Sequence, residues 1–134
     1  MIAVDTNVIA YLLLPGPHSA AVESLRVRDP EWVSSPLWRY ELQNVLWAHV
    51  RAGRMAKDVA RDVARLAFDR LGIISREADP LEVLDLAATT GLTAYDCQYL
   101  VVARTLGLTL YTYDKAILRA SPGIALRPDK EPAS

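Results

Sequence analysis

The sequence predicts an α/β domain built on a mostly parallel sheet. Two observations carry that reading. Short β-like runs alternate with longer helical stretches, the order expected of strand–helix–strand units. Three of the runs end on an acid, Asp5, Asp96 and Asp114, where the chain turns into a helix.

The first strand is expected at Ile2 to Val4, and Asp5 is placed to cap a helix that begins at Thr6 and stops before Pro15-Gly16-Pro17. A second helix runs from His18 or Ser19 to about Arg28, followed by a strand at Trp32 to Ser34. Ser35 as N-cap with Pro36 at the first helical position opens a third helix, which continues to Ala52 before Gly53. From Met55 to Leu71 the apolar set Val59, Val63, Leu66, Ala67 and Leu71 recurs at helical spacing opposite Asp58, Arg61, Asp62, Arg65 and Asp69, which predicts an amphipathic outer helix.

A third strand is expected at Gly72 to Ile74. Asp79 with Pro80 and Glu82 opens a short helix that ends near Gly91, and Thr93 opens the next, which runs through Leu106 to Gly107. A fourth strand covers Leu108 to Thr112, Asp114 caps a short helix at Lys115 to Ala120, and a last short strand is expected near Ile124 to Leu126. The tail after about residue 122 reads as loose. No repeat or linker divides the 134 residues, so residues 1 to 134 are expected to form a single domain.

Composition narrows the function classes. Hydrophobic residues make up 51% and charged residues 23%, the balance of a globular chain. One cysteine, Cys97, and two histidines, His18 and His49, cannot assemble a Cys/His zinc site or an intrachain disulfide, and a reducing cytoplasm fits. The longest apolar run, Val8 to Leu14, is far short of a bilayer span. His18 and His49 are expected to be structural or surface residues, and Cys97 a small core filler. Trp38, Tyr40 and Trp47 are expected in the core or at an interface rather than as base-stacking platforms.

A fourth acid, Glu41, sits within the apolar and aromatic segment Pro36-Leu37-Trp38-Arg39-Tyr40-Glu41-Leu42. In an open α/β sheet, ligands bind beyond the carboxyl ends of the strands, where Asp5 and Asp114 are expected. Each Asp taken alone is explained by helix capping, and Glu41 alone by an exposed helix position. Taken together, the four are explained equally by one cation-filled pocket, because clustered carboxylates are tolerated mainly when a cation offsets their repulsion. Net charge is −1, and setting aside the four acids leaves the remainder at +3, with twelve of the fifteen cations being Arg. Arg51, Arg54, Lys57, Arg61 and Arg65 recur at helical steps, but the interleaved acids make them an ordinary solvated face.

Met1-Ile2-Ala3-Val4-Asp5-Thr6-Asn7, then Glu41, then Leu92-Thr93-Ala94-Tyr95-Asp96-Cys97-Gln98-Tyr99 and Leu108-Thr109-Leu110-Tyr111-Thr112-Tyr113-Asp114 together resemble the PIN-domain nucleases. The resemblance is strongest to the VapC-type toxins of prokaryotic toxin–antitoxin pairs, and it covers nearly the whole chain. It implies a three-layer α/β/α domain with a sheet of four to five strands. It also implies a metal-dependent endoribonuclease in which Asp5, Glu41, Asp96 and Asp114 form the acidic site, with Asp5 and Asp96 the foremost ligands. Thr6, Asn7 and Thr112 would be their polar neighbours.

The implied cofactor is Mg²⁺, with Mn²⁺ a substitute, and the implied products carry a 5′-phosphate and a 3′-hydroxyl. The implied partners are RNA, a cognate antitoxin and a second copy of the chain, with no membrane involved. One departure is that Lys115, Ala116 and Ile117 follow Asp114 where many relatives carry a further acidic or polar residue. The competing expectation is a catalytically inactive PIN-like binding or scaffold domain. A phosphoacceptor signalling domain fits less well, because it would need paired acids after the first strand and Asp5-Thr6-Asn7 supplies one.

Overall fold

The computed structural model describes residues 1–130. Five strands form one sheet: β1 (Ile2–Val4), β2 (Trp32–Ser34), β3 (Ile74–Ser75), β4 (Leu110–Tyr111) and β5 (Ala125–Leu126). Their spatial order is β3-β2-β1-β4-β5, and every pairing is parallel. The chain therefore builds outward from β1 through β2 to β3, then returns to lay β4 on the other side of β1. Strand order reverses between β1 and β4, which opens a crevice at their carboxyl ends.

Seven helices connect the strands: α1 (Thr6–Leu13), α2 (Ser19–Arg28), α3 (Leu37–Arg51), α4 (Lys57–Arg70), α5 (Pro80–Thr90), α6 (Ala94–Leu106) and α7 (Lys115–Ala120). Right-handed crossovers put α1 to α4 on one face, where α1 packs on α2 and α3, and α3 on α4. The reversed direction puts α5 and α6 on the other, with α6 against β1, β2 and β4. The fold is α/β/α, as expected. β1 and β2 are buried throughout, which suits parallel strands covered on both faces. Trp32, Val33, Leu25, Leu42, Leu100 and Leu110 fill the interior around them.

Helix punctuation follows the sequence closely. Asp79 accepts from Leu81 N–H at 2.8 Å with Pro80 beside it, and Gly91 ends α5 at φ 74°, a left-handed conformation that only glycine adopts at no steric cost. The third helix starts one residue later than expected. Pro36 stands at the cap, and Ser35 accepts the Leu37 N–H through Oγ at 3.2 Å. β3 and β4 are shorter than expected and β3 is shifted toward Ser75, because Gly72 turns at φ 70° before the strand begins.

Two expectations are corrected. In α4 the inward stripe is Ala60, Val63, Ala64 and Ala67, while Val59 and Leu66 are each half exposed. Ala60 and Ala67 meet the core beside Phe68, whose ring packs on Trp38 of α3 at 5.4 Å. The segment after Pro122 is not loose as far as residue 130. Leu110 N–H donates to Ile124 and Thr112 N–H to Leu126, so β5 satisfies the open edge of β4. Arg127 then pairs with Asp129 at 3.0 Å and lies over the Tyr113 ring. The rest of the tail, residues 131–134, lies outside the described residues. Of the three aromatic residues expected in the core or at an interface, Trp38 is buried, while Tyr40 and Trp47 are 68% and 54% exposed.

Candidate active site

Among the described residues the buried polar ones are Asp5, Thr6, Ser34, Ser35 and Thr112, and all follow or end strands at the carboxyl edge of the sheet. Burying polar groups costs free energy unless each is hydrogen bonded, so their partners describe what the edge is built to hold. Ser34 donates to the Val4 carbonyl at 2.7 Å, tying β2 to the end of β1 just before Asp5.

Asp5 does two jobs at once. Its Oδ1 accepts the Val8 N–H at 3.1 Å and caps α1, while its Oδ2 accepts the Thr112 hydroxyl at 2.5 Å from the end of β4. Thr112 Oγ1 in turn accepts the Asp114 N–H at 3.0 Å. One hydroxyl thus links the acid after β1 to the segment carrying the acid after β4. Asp114 caps α7 through the Ile117 N–H at 3.0 Å.

Glu41 enters from the middle of α3 and is held by two hydroxyls. Thr6 donates to its Oε1 at 3.1 Å and the Tyr99 hydroxyl donates to the same oxygen, while the Thr6 and Tyr99 oxygens approach to 2.6 Å. Two hydroxyl protons serve three oxygen–oxygen contacts, so the Thr6 proton is shared between Glu41 and Tyr99. Burial, then the bond to Glu41, hold the Tyr99 phenol far above its ordinary range, which keeps it a donor.

Asp96 lies in the first turn of α6, where Thr93 caps the helix by accepting the Asp96 N–H at 3.1 Å. Thr93 and Asp96 have the spacing of a reciprocal capping box, but only this half forms; among the described residues no backbone N–H returns to the Asp96 carboxylate. The cap is Thr93, and the acid is left for the cavity.

All four acids line one cavity of about 360 Å³, together with Thr6, Asn7, Asn44, Tyr40, Tyr95 and Tyr99. No Lys or Arg lines it, and none of the four acids forms an ion pair among the described residues. The charge is felt. Burial pushes Asp5 up to about 6, with smaller upward pressure from Asp114 and Glu41, against the opposing bonds from Thr112 and Val8. Asp96 is also raised, by burial first and then by Asp114, with Glu41 adding to it and Thr93 opposing.

The donor set fits a hard divalent cation: it is all oxygen, anionic and without internal counter-charge. Among the described residues no three Asp, Glu, His or Cys side chains are grouped so that they could hold a metal ion together. An ion here would therefore be held by one or two of the carboxylates, with water completing its shell.

Sequence reasoning did not single out Tyr99 or Asn44 as site residues. Their signal was present in the spacing, since Tyr99 is three residues beyond Asp96 on α6 and Asn44 three beyond Glu41 on α3, so each shares a helix face with an acid. Cys97 is buried against Val83 and Val101, a core filler as expected. His18 stacks on Tyr113 at 4.0 Å and packs beside Tyr11, so its role is structural. Arg51, Arg54, Lys57, Arg61 and Arg65 are exposed and none lines the cavity.

Comparison with known proteins identifies the family. Ribonuclease VapC3 of Pyrobaculum aerophilum is 29% identical over 126 residues, which cover 92% of this chain and 96% of that protein. Exonuclease VapC9 of the same organism is 36% identical over 85 residues, 63% of this chain and 62% of that protein, so the match spans less than two thirds of VapC9. Among solved structures, PAE2754 from Pyrobaculum aerophilum superposes with a TM-score of 0.74 at 27% identity, over 92% of this chain and 81% of that one. The PIN domain model matches residues 2–121, from β1 to the helix capped by Asp114, so every element that contributes to the cavity lies within the match and the chain belongs to the PIN domain family.

Proposed function

We propose that this chain is a Mg²⁺-dependent endoribonuclease and the toxin of a toxin–antitoxin pair. The observation that carries the reading is the convergence of Asp5, Glu41, Asp96 and Asp114, from four separate elements, on one cavity with no cationic side chain in its lining. Similarity to the proteins named ribonuclease VapC3 and exonuclease VapC9 supports nuclease chemistry of this type.

Asp5 and Asp96, with Glu41 and Asp114, would hold Mg²⁺, or Mn²⁺ in its place. When bound, such an ion supplies Lewis acidity to a scissile phosphate and lowers the pKa of a nearby water. The protein's own part is orientation. Thr112 fixes the Asp5 carboxylate through Oδ2, and Thr6 with Tyr99 fixes Glu41 through Oε1. Glu41 Oε2 makes no hydrogen bond within the described residues and is the atom positioned to take a proton from an attacking water. In-line attack on phosphorus breaks the bond to the 3′ oxygen, which leaves as a hydroxyl and puts the phosphate on the 5′ side. A cytoplasmic location and a homodimer belong to this reading. Among the described residues no helix is long and apolar enough to cross a membrane.

Incubation with linear and covalently circular single-stranded RNA, with Mg²⁺ or EDTA, tests it. Cleavage of the circle in Mg²⁺ alone, lost by on the order of 100-fold or more in Asp5→Asn and Asp96→Asn with the fold retained, is the expected result. Cutting confined to linear RNA would make the enzyme an exonuclease. No cutting of either would leave an inactive binding domain. Co-purification with a small DNA-binding protein encoded beside it, which suppresses the cleavage, is expected of the toxin assignment.

A further inference from the structure

A cation among the four acids can serve the scissile phosphate, but no Lys or Arg in the lining serves the phosphates on either side of it. Every nucleotide of a strand brings a further charge. Those beyond the scissile bond need cationic side chains outside the cavity.

α3 leads from the cavity to such side chains. Tyr40 and Asn44 line the cavity, and Tyr40, Asn44, Trp47 and Arg51 follow one another at steps of three and four residues, so they share one face of the helix. All four are exposed. Arg51 lies ten residues beyond Glu41, about 15 Å along the helix axis. The chain then turns at Gly53, φ 74°, where the Gly53 N–H donates to the Val50 carbonyl and the Arg54 N–H to the His49 carbonyl, each at 3.0 Å. This ordered turn carries Arg54 and leads to Lys57 at the start of α4, both exposed.

The expectation of an ordinary solvated face holds for only part of this basic run. Arg61 and Arg65 alternate with Asp58, Asp62 and Asp69, and Arg65 pairs with Asp62 at 3.4 Å. By contrast, the sixteen residues from Leu42 to Lys57 contain no acid. Among the described residues, other arginines are engaged internally: Arg28 and Arg127 in ion pairs, Arg26 on the Leu71 carbonyl and the Trp32 ring, Arg39 over Trp38 and Phe68. The side chains of Arg51, Arg54 and Lys57 make no such contact among those residues.

We infer that Arg51, Arg54 and Lys57 form a phosphate-binding elbow outside the cavity, which grips the backbone of the RNA substrate about 15 Å from the acids. This rests on the ribonuclease reading above and adds a second, electrostatic point of attachment. Two of the three are Arg, whose planar fork matches a phosphate bidentately. Such contacts fix the register of the strand and carry no sequence information.

Anisotropy of an end-labelled single-stranded RNA, titrated at several salt concentrations with Ca²⁺ in place of Mg²⁺ and checked on a gel for intactness, tests the inference without turnover. Each phosphate contact contributes about 0.7 to the slope of log affinity against log salt. Arg51→Gln, Arg54→Gln and Lys57→Gln combined should flatten the slope by about 2, which is about 100-fold in affinity near 0.1 M salt, with the melting temperature unchanged. Arg65→Gln, which removes a cation already paired, should leave the slope as it is. The difference between wild type and the triple variant should vanish with a strand too short to span from Glu41 to Arg51.

An unchanged slope in the triple variant overturns the inference, whether or not the wild type cuts RNA. An equal change for short and long strands overturns it too, since the effect would not depend on reach. A flattened slope with no cutting by any form keeps the elbow and removes the catalytic reading. Wild-type RNA binding by the triple variant, with loss of a co-purifying acidic protein, overturns the inference and gives the elbow to that partner.

Discussion

The carboxyl edge of the sheet and the layer directly beneath it are joined by single peptide bonds yet follow opposite energetics. Ile2, Ala3 and Val4 are buried apolar residues that stabilise the fold by leaving water. The next residue, Asp5, is just as buried and carries a carboxyl whose ionisation the fold opposes. The same contrast recurs on α3, where Glu41 faces the cavity and Leu42 is wholly buried. Stability is concentrated in one layer and proposed chemistry in the other, so adjacent substitutions should separate the two.

The largest effect on stability is expected from Leu42→Ala, which should lower it by about 2–5 kcal/mol through lost burial and a residual cavity. Glu41→Gln, one residue away, should leave the denaturant midpoint within about 0.5 kcal/mol of wild type while abolishing cleavage. Chemical denaturation of the two variants measures the contrast. Comparable loss in both would mean that Glu41 is a packing residue and the separation of layers is false.

Asp5→Asn comes next, and its sign is opposite. The folded protein holds the Asp5 proton up to about pH 6, against an ordinary value of 3.8, so the wild type is progressively destabilised as pH rises from about 4 to 6 and keeps that deficit above. A shift of this size corresponds to about 3 kcal/mol at neutral pH. In metal-free buffer, Asn at this position should therefore melt higher than wild type at pH 7.5, with the difference closing by pH 4. A difference that ignores pH, or an Asn variant that melts lower throughout, would show that capping of α1 outweighs charge crowding. Asp96→Asn should move in the same direction and by less, since its carboxyl is only partly buried.

Mg²⁺ should narrow the gap between Asp5→Asn and the wild type. A cation bound only by the folded wild type raises its stability by about 2.7 kcal/mol at a hundred times the dissociation constant. Asp5→Asn should gain less over the same titration. Calorimetric melts of both proteins across Mg²⁺ concentrations give the comparison, and equal gains would remove Asp5 from the binding set.

Much of the layered design is legible in the chain because its signals are local. Pro15, Pro36, Gly53, Gly91 and Gly107 mark helix ends by backbone preference alone. The strand-end placement of Asp5 and Asp114 follows from the residues before them, as does the capping role each plays. Long-range fit is what could not be read. Val59 and Leu66 match the helical period of α4 but lose the inward face to Ala60, Ala67 and Phe68, because the rotation of the helix is set by its fit to α3. The ordered segment from Ala125 to Lys130 depends on an open edge of β4 that no local pattern shows. Tyr40 was indistinguishable from a core aromatic in a segment where Trp38, two residues earlier, is one. Tyr99 was visible as a helical residue, but the partners of its hydroxyl, the Glu41 carboxylate and Thr6, lie 58 and 93 positions away.

The smallest change belongs to that same hydroxyl. Tyr99→Phe keeps the ring in the core and removes one donor to Glu41, while Thr6 still reaches Oε1. Stability should fall by only about 1 kcal/mol, the net worth of one intramolecular hydrogen bond, since Glu41 remains partly solvated and is not left without a partner. Glu41 would nonetheless be held at one point rather than two, and a carboxylate free to turn spends less time aimed at the attacking water. The expected signature is therefore a loss in kcat, with KM and melting temperature close to wild type. An unchanged kcat would show that Thr6 alone fixes Glu41, and a KM effect would move Tyr99 from the catalytic edge of the cavity to its substrate-binding rim, beside Tyr95 on the same helix.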